Sequence, residues 1–243
     1  MNALRTAFAY FSILPFGNAD APRASALAAL PLIGVVLGGI AGTLGWLASF
    51  VLPAPLPVVT AFAAGLVVSG AIHLDGFLDT CDALFASVPP ARRFEILKDP
   101  RHGTFALAGL AIVVPAWLAA IGALPPAAWP WALAFCAGAA RAAAVLNALR
   151  LPYAAGGASA RAFEERPSIA LLAVGVLVVA ACCWLHPWLA LLLLPAAVVA
   201  LGLGAWCARR LDGALVGDCY GAIIVIVDVL LLAAVATALR WRL

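Results

Sequence analysis

The feature that most constrains this chain is a series of long apolar runs, each about as long as a membrane-spanning helix. Such a helix needs about 20 mostly apolar residues, because lipid offers open backbone groups no hydrogen-bond partners. The runs cover residues 28–50, 56–74, 105–123, 129–149, 169–186, 188–206 and 221–239. We therefore predict one all-α domain, residues 1–243, that forms a polytopic membrane bundle of about seven spans, within a range of six to eight.

The amino-acid composition excludes several classes of protein. With 66% hydrophobic and only 10% charged residues, the chain is unlike an ordinary soluble enzyme, a disordered segment or a nucleic-acid-binding domain. We expect a lipid bilayer as its surroundings and no nucleic acid as a partner. The chain also contains 21 glycines, and small residues of this kind allow helices to pack closely, so packing against a copy of itself is one possibility.

Basic residues are distributed unequally among the connections between the runs. Three connections contain neither Lys nor Arg: 51–57, 124–130 and 186–187. Three longer connections are basic: 75–104, 150–168 and 207–220. Because cytoplasmic loops carry the excess of Lys and Arg, we expect the N-terminus and these basic connections to lie in the cytoplasm. Seven spans would leave Arg240 and Arg242 outside, where they either snorkel to headgroups or follow a re-entrant last segment.

The densest polar cluster follows the second apolar run and begins at His73. On a helix, Asp75, Asp79 and Asp82 would share one face. Carboxylates at that spacing repel one another unless a cation neutralises them, and Mg²⁺ prefers oxygen ligands. Gly76 would let a backbone or a phosphate approach closely. We interpret the cluster as a magnesium site for a phosphorylated substrate, the alternative being a solvated segment in which Asp75 caps a helix.

A basic stretch follows this acidic cluster. The tight spacing of Lys98, Asp99 and Arg101 favours binding of a diphosphate group. Thr104 opens the next apolar run, so free amides at that helix start are predicted to face an anion. For the neighbouring pair at positions 92 and 93, ordinary flanking of a span explains the charges equally well.

Two further ionisable residues lie inside later runs. Asp228 lies about two turns into an apolar helix, where an ionised carboxylate is costly unless it is paired or metal-bound. Arg141 lies near the end of its run, where it either snorkels or reaches an anion.

Two strings carry a resemblance to a known family. The first runs from Gly70 to Asp82 (GAIHLDGFLDTCD), and the second runs from Glu95 to Thr104 (EILKDPRHGT). Together they resemble the cobalamin synthase family, the adenosylcobinamide-GDP ribazoletransferases, and the likeness continues through Leu151-Pro152-Tyr153 and Gly217-Asp218. It implies a bacterial inner-membrane enzyme with its active site on the cytoplasmic face.

The resemblance also implies a reaction. A hydroxyl of α-ribazole, or of its 5′-phosphate, would attack adenosylcobinamide-GDP and release GMP, with Mg²⁺ required. Asp75, Asp79 and Asp82 would hold the metal, with Asp218 and Asp228 as further ligands. The residues implied to bind substrate or phosphate are Lys98, Asp99, Arg101, Arg141, Gly76 and Thr104. A carboxylate or His73 would take the hydroxyl proton.

Two other functions fit part of the pattern. A CDP-alcohol phosphotransferase also places aspartates on facing membrane helices, but its signature has an Ala-Arg pair after Asp-Gly, whereas Phe77 and Leu78 follow Gly76 here. A small solute transporter would place ionisable residues near the bilayer midplane, often at broken helices. Here most carboxylates lie at the predicted cytoplasmic margin, which favours the enzyme.

Overall fold

The computed structural model describes residues 3–17, 27–154 and 169–241 of the chain, and its regular elements there are helices. The α-helices are α1 (Ala3–Phe11), α2 (Leu30–Ala48), α3 (Leu56–Val68), α4 (Ile72–Phe85), α5 (Pro90–Ile96), α6 (Thr104–Gly122), α7 (Trp129–Val145), α8 (Ile169–Leu185), α9 (Ala190–Arg210) and α10 (Gly217–Arg240). Short 3₁₀ turns lie at Pro126–Ala128, Leu146–Leu149 and Pro187–Leu189.

Several of these helices have the length and apolarity of membrane spans. Among the described residues, five qualify: Leu30–Ala48, Thr104–Gly122, Pro126–Leu149, Pro187–Arg210 and Gly217–Arg240. The pair α3 and α4 would add a sixth if it crosses as one broken span, and the apolar part of α8, Leu172–Leu185, is shorter. The predicted multi-pass, all-helical membrane fold is therefore confirmed, while the number seven and the orientation of the N-terminus stay predictions.

The predicted run 56–74 is not one helix. Helix α3 ends at Val68 and α4 starts at Ile72, with a bend of 86° between them. The break closes with a Schellman motif, in which the Gly70 N–H donates to the Val67 carbonyl at 3.0 Å and the Ala71 N–H donates to the Leu66 carbonyl at 2.9 Å. Gly70 supplies the left-handed conformation at φ +62°. The acidic motif consequently lies on a helix of its own, turned away from the preceding span.

Close packing of α2 on α7 forms the largest helix interface. Gly34, Gly38 and Gly42 lie one turn apart on α2, and a Cβ added at any of them would clash with a backbone carbonyl of α7. Glycines at this spacing let two membrane helices approach backbone to backbone. These glycines, which suggested packing against a second copy, thus already pack within the chain.

A second close crossing joins α4 to α10. A Cβ added at Gly76 would lie 2.9 Å from the Asp218 Cα, and one added at Gly221 would lie 2.9 Å from the His73 carbonyl oxygen. Gly76 therefore allows a backbone to approach, and the structure does not leave that face of α4 open to a phosphate. The crossing brings the start of α10 beside the acidic motif.

Two of the three predicted loops contain more helix than expected. Most of 75–104 belongs to α4 and α5, and α10 begins at Gly217 rather than near residue 221. Asp218 therefore lies in the first turn of a helix, where a carboxylate interacts favourably with the helix dipole. Most of the third predicted loop, residues 155–168, lies outside the described residues.

Candidate active site

Three carboxylates and one imidazole meet where α4 crosses the start of α10; we call Asp75, Asp79, Asp218 and His102 the outer acidic cluster. The Asp75 side chain is 66% exposed and that of Asp79 is 19% exposed. His102 places Nδ1 3.4 Å from an Asp79 oxygen and Nε2 3.9 Å from an Asp75 oxygen. Asp218 is half-buried and lies within electrostatic range of both other carboxylates.

The outer acidic cluster concentrates negative charge at a partly hydrated surface. Like charges at this separation repel, so the arrangement favours a cation among the carboxylates. His102 lies between two of them and can supply such a charge when protonated. Among the described residues, no three His, Cys, Asp or Glu side chains converge into a complete metal site. A metal ion here would therefore take some of its ligands from substrate or water, which is usual for Mg²⁺.

Asp82 shares the helix but has a different environment. Its carboxylate is buried and accepts hydrogen bonds from the Gly103 N–H and from the Ala106 N–H, the latter at 2.9 Å. These amides belong to the open N-terminus of α6, so Asp82 caps that helix. The anion nearest the start of α6 is thus Asp82 itself. The anion site at Thr104 and the metal role of Asp82 stay predictions.

His73, Arg141 and Asp228 line a second site, a cavity of about 70 Å³ that we call the inner polar cavity. All three side chains are buried, at 9%, 6% and 7% exposure. His73 lies about 200° around α4 from Asp75, on the opposite face. Asp228 lies ten residues after Asp218 on α10, which is roughly 15 Å along the helix. His73 and Asp228 thus share a cavity away from Asp75, although His73 also lines another pocket together with Asp218. Their roles as proton acceptor and metal ligand stay predictions.

The basic segment between α5 and α6 lies over the outer acidic cluster, since it carries His102. Within it, the Arg101 guanidinium makes two hydrogen bonds to the Asp99 carboxylate, at 2.9 and 2.8 Å. These bonds hold the pKa of Asp99 at about 2, so the pair is ionised and electrically balanced at neutral pH. Lys98 is exposed, and the structure gives it no carboxylate partner among the described residues.

Two arginines hold the ends of neighbouring helices together. Arg93 donates to the Arg210 carbonyl at 3.0 Å, and Arg210 donates to the Leu84 carbonyl at 2.8 Å. Arg210 also lies over the Trp206 ring, 5.1 Å from its centroid. Both guanidiniums cap carbonyls at helix C-termini, so their role here is structural.

Two residues of the site were not assigned from the sequence. One is His102, which no spacing rule pairs with carboxylates on another helix. The other is Tyr153, whose hydroxyl accepts a hydrogen bond from the Gly217 N–H at 2.9 Å, next to Asp218. Tyr153 also forms a parallel bridge with Leu215, which docks the segment after α7 onto the connection before α10. The only sequence signal for either was its place in a string shared with a known family.

Comparisons with known proteins identify the family of this chain. The family model of cobalamin-5-phosphate synthase matches residues 3–236. A relative from Deinococcus radiodurans named adenosylcobinamide-GDP ribazoletransferase is 35% identical over 242 residues, covering 95% of this chain and 84% of the relative. One of the same name from Chlorobaculum tepidum is 33% identical over 231 residues, covering 91% and 90%. No solved structure matches the chain. On the extent of these matches, the chain belongs to the cobalamin-5-phosphate synthase family.

Proposed function

We propose that this chain is a membrane transferase that joins adenosylcobinamide-GDP to α-ribazole or its 5′-phosphate and releases GMP. The family match and the names of the relatives support the reaction. The observation that carries the proposal is the outer acidic cluster, which places three carboxylates beneath a basic segment at the edge of an otherwise apolar bundle. A lipid-forming transferase and a solute transporter are set aside, because the family match covers nearly the whole chain.

In this reaction a ribazole hydroxyl oxygen forms a bond to the phosphorus next to the corrinoid, and the bond from that phosphorus to GMP breaks. The hydroxyl proton needs an acceptor inside the site. A carboxylate of the outer acidic cluster is suited to this role, and His73, which lines a pocket together with Asp218, is the alternative acceptor. Transfer of this kind depends mainly on positioning and on neutralising phosphate charge.

The donor set of the outer acidic cluster fits Mg²⁺. This ion usually takes one or two carboxylates and fills its remaining positions with water and substrate phosphates. Asp75 and Asp79 are one turn apart on α4, and Asp218 approaches from α10. When bound, the ion would offset the negative charge of the diphosphate. Asp82 and Asp228 are not included, because one caps α6 and the other lines the inner polar cavity.

The basic segment supplies charge for the phosphates. Lys98 is exposed, lies four residues before His102 in the chain, and has no carboxylate partner among the described residues. Arg101 is balanced by Asp99 and would need to exchange that partner for a phosphate. We therefore assign Lys98 the larger share of diphosphate binding.

The site is proposed to face the cytoplasm from a bacterial inner membrane. The basic segment and the ends of α4 and α9, with Arg93 and Arg210, lie together. Clustered Arg and Lys residues are typical of cytoplasmic faces. A single cysteine replacing Lys98 in intact cells should react with an impermeant thiol reagent only after the membrane is opened; labelling of sealed cells would reverse this orientation.

The reaction is tested on purified protein in lipid, supplied with adenosylcobinamide-GDP and Mg²⁺. Parallel reactions receive α-ribazole, its 5′-phosphate or no acceptor, and EDTA is the metal control. Appearance of GMP together with a new corrinoid, lost with EDTA, is the expected result. GMP without the new corrinoid would indicate hydrolysis instead, and no product from folded protein would reject the proposed reaction.

A further inference from the structure

The inner polar cavity lies between helices whose other lining residues are apolar, except Ser69, whose hydroxyl bonds to carbonyls of α3. His73 comes from α4, Arg141 from α7 and Asp228 from α10, so each polar group is on a different helix. Leu37 and Ile224 are among the apolar residues that complete the wall. Ionisable residues inside membrane segments are costly, so three of them around one small space require an explanation.

Each of the three polar side chains has a buried atom without a partner. These atoms are His73 Nε2, Arg141 Nε and Asp228 Oδ1. Arg141 is otherwise fixed, because its Nη1 donates to the Ala137 carbonyl at 3.0 Å. Buried polar atoms are nearly always paired with protein or ordered water. Three unpaired atoms around one cavity therefore point to a hydrogen-bonding occupant.

The charges around the cavity restrict what that occupant is. Arg141 and Asp228 have opposite charges and attract one another, but no direct hydrogen bond joins them. The pair is balanced, so the cavity favours neither a cation nor an anion. The occupant must accept a hydrogen bond from Arg141 and donate one to Asp228, as water does. A volume of about 70 Å³ holds roughly two water molecules at about 30 Å³ each.

We propose that the inner polar cavity binds a cluster of about two water molecules that joins Arg141, Asp228 and His73. The cluster links α4 to α7 and α10, immediately after the break between α3 and α4. Helices α4 and α10 also carry the carboxylates of the outer acidic cluster. The three inner residues are therefore positioning residues, which set how those carboxylates are presented. The positioning role rests on the proposed metal site, whereas the water cluster does not depend on that site.

Radiolytic footprinting tests the water cluster, because hydroxyl radicals formed from bound water oxidise the side chains that the water touches. Leu37 and Leu133 line the cavity and are 3% and 5% exposed, so bulk solvent hardly reaches them. Ile33, on the same helix as Leu37, is 0% exposed and lies outside the cavity, which makes it the matched control.

In the wild-type protein, oxidation of Leu37 and Leu133 should exceed that of Ile33 several-fold. The double variant Arg141→Met with Asp228→Leu removes both charges together, and oxidation should fall to the level of Ile33. Equal oxidation of all three residues in the wild type would overturn the water cluster. Oxidation that persists in the double variant would show that these side chains do not hold the water. The wild-type comparison needs no variant, so it decides the question even if the double variant fails to accumulate.

Binding of Mn²⁺, followed by electron paramagnetic resonance without substrate, tests the positioning role. The double variant should bind Mn²⁺ about ten-fold more weakly than wild type, while Arg141→Lys, which keeps the charge, should restore most of the affinity. The positioning role is overturned if a folded double variant shows no oxidation of the cavity residues above the Ile33 level and still binds Mn²⁺ as tightly as wild type. Absence of Mn²⁺ binding in the wild type would reject the metal site and the positioning role together, and footprinting would still decide the water cluster.

Discussion

The outer acidic cluster and the inner polar cavity lie on opposite faces of one short helix, α4, and use the same kinds of side chain. In the outer cluster, carboxylates of one sign are gathered at a hydrated edge, and the Asp75 side chain is 66% exposed. In the inner cavity, an aspartate is buried beside an arginine of opposite charge. The two sites therefore differ in net charge and in access to solvent: the outer acidic cluster has charges of one sign at an exposed edge, and the inner polar cavity has charges of both signs.

This difference changes how an intramembrane aspartate is interpreted. An ionised carboxylate in an apolar helix needs compensation, and the sequence left open whether another side chain or a metal ion supplies it. The structure places Arg141 of α7 beside Asp228 instead. The cost of burial predicts that a partner exists, but only packing between helices identifies it.

The largest expected effect is the loss of stability when one of the two charges in the inner polar cavity is removed. Arg141→Met leaves Asp228 buried without its compensating charge, and removing one partner of a buried pair typically costs about 3–5 kcal/mol. The variant should therefore lose stability in a denaturant or thermal titration performed in detergent. Replacing both residues with apolar ones should be much less damaging than replacing one. A single variant as stable as wild type would mean that the two charges do not depend on each other.

The next effect concerns the outer site. Asp75→Asn and Asp79→Asn remove charge without changing shape, and each should lower turnover by at least about 100-fold while the melting temperature stays within a few degrees. Asp212→Asn is the matched control, because Asp212 is exposed and asparagine tolerates its positive φ of 52°. Normal turnover in either test variant would remove that residue from the metal site.

The third prediction compares adjacent glycines of α2. Gly38→Ala would push a methyl group into the Leu133 carbonyl, and overpacking of this kind costs about 1–3 kcal/mol. Gly39→Ala is the control, since its new Cβ would lie 3.8 Å from the nearest atom, the Ala134 Cβ. Thermal unfolding in detergent should separate the two variants. Equal stabilities would indicate that α2 and α7 are less closely packed than the structure has them.

A smaller loss of stability is expected when Asp82 is replaced, because this residue of the acidic motif caps α6. Asp82→Ala should cost about 1–2 kcal/mol of stability through loss of the cap. Asp82→Asn keeps one acceptor oxygen and should therefore lose less stability than Asp82→Ala. Neither change should weaken Mn²⁺ binding beyond its effect on folding. Loss of Mn²⁺ binding in a fully folded Asp82→Asn protein would return Asp82 to the outer acidic cluster.

The smallest effect is a several-fold rise in KM. Lys98→Ala should raise KM for adenosylcobinamide-GDP more than KM for the ribazole acceptor, because one exposed cation contributes modestly to phosphate binding. The control is Arg92→Ala, which removes a nearby charge that is already paired with Glu95. A larger effect on the acceptor KM would place the diphosphate away from Lys98.

The sequence by itself determined the multi-pass helical fold, the position of the acidic motif on a helix, and the family. These properties follow from local rules. Backbone N–H and C=O groups in lipid must form hydrogen bonds within their own helix, and the spacing of residues along a helix decides which side chains share a face. For the same reason the sequence places His73 about 200° from Asp75 on a helix that contains both residues.

Only the tertiary structure decided which charged groups meet. The break after Val68, the crossing of α4 and α10 at Gly76, and the capping of α6 by Asp82 all depend on contacts between segments far apart in the chain. Such contacts are selected by the close fit of whole helices, and many helix arrangements satisfy the same apolar pattern. The acidic motif therefore predicted a site, while packing divided its residues among the outer acidic cluster, a helix cap and a buried cavity.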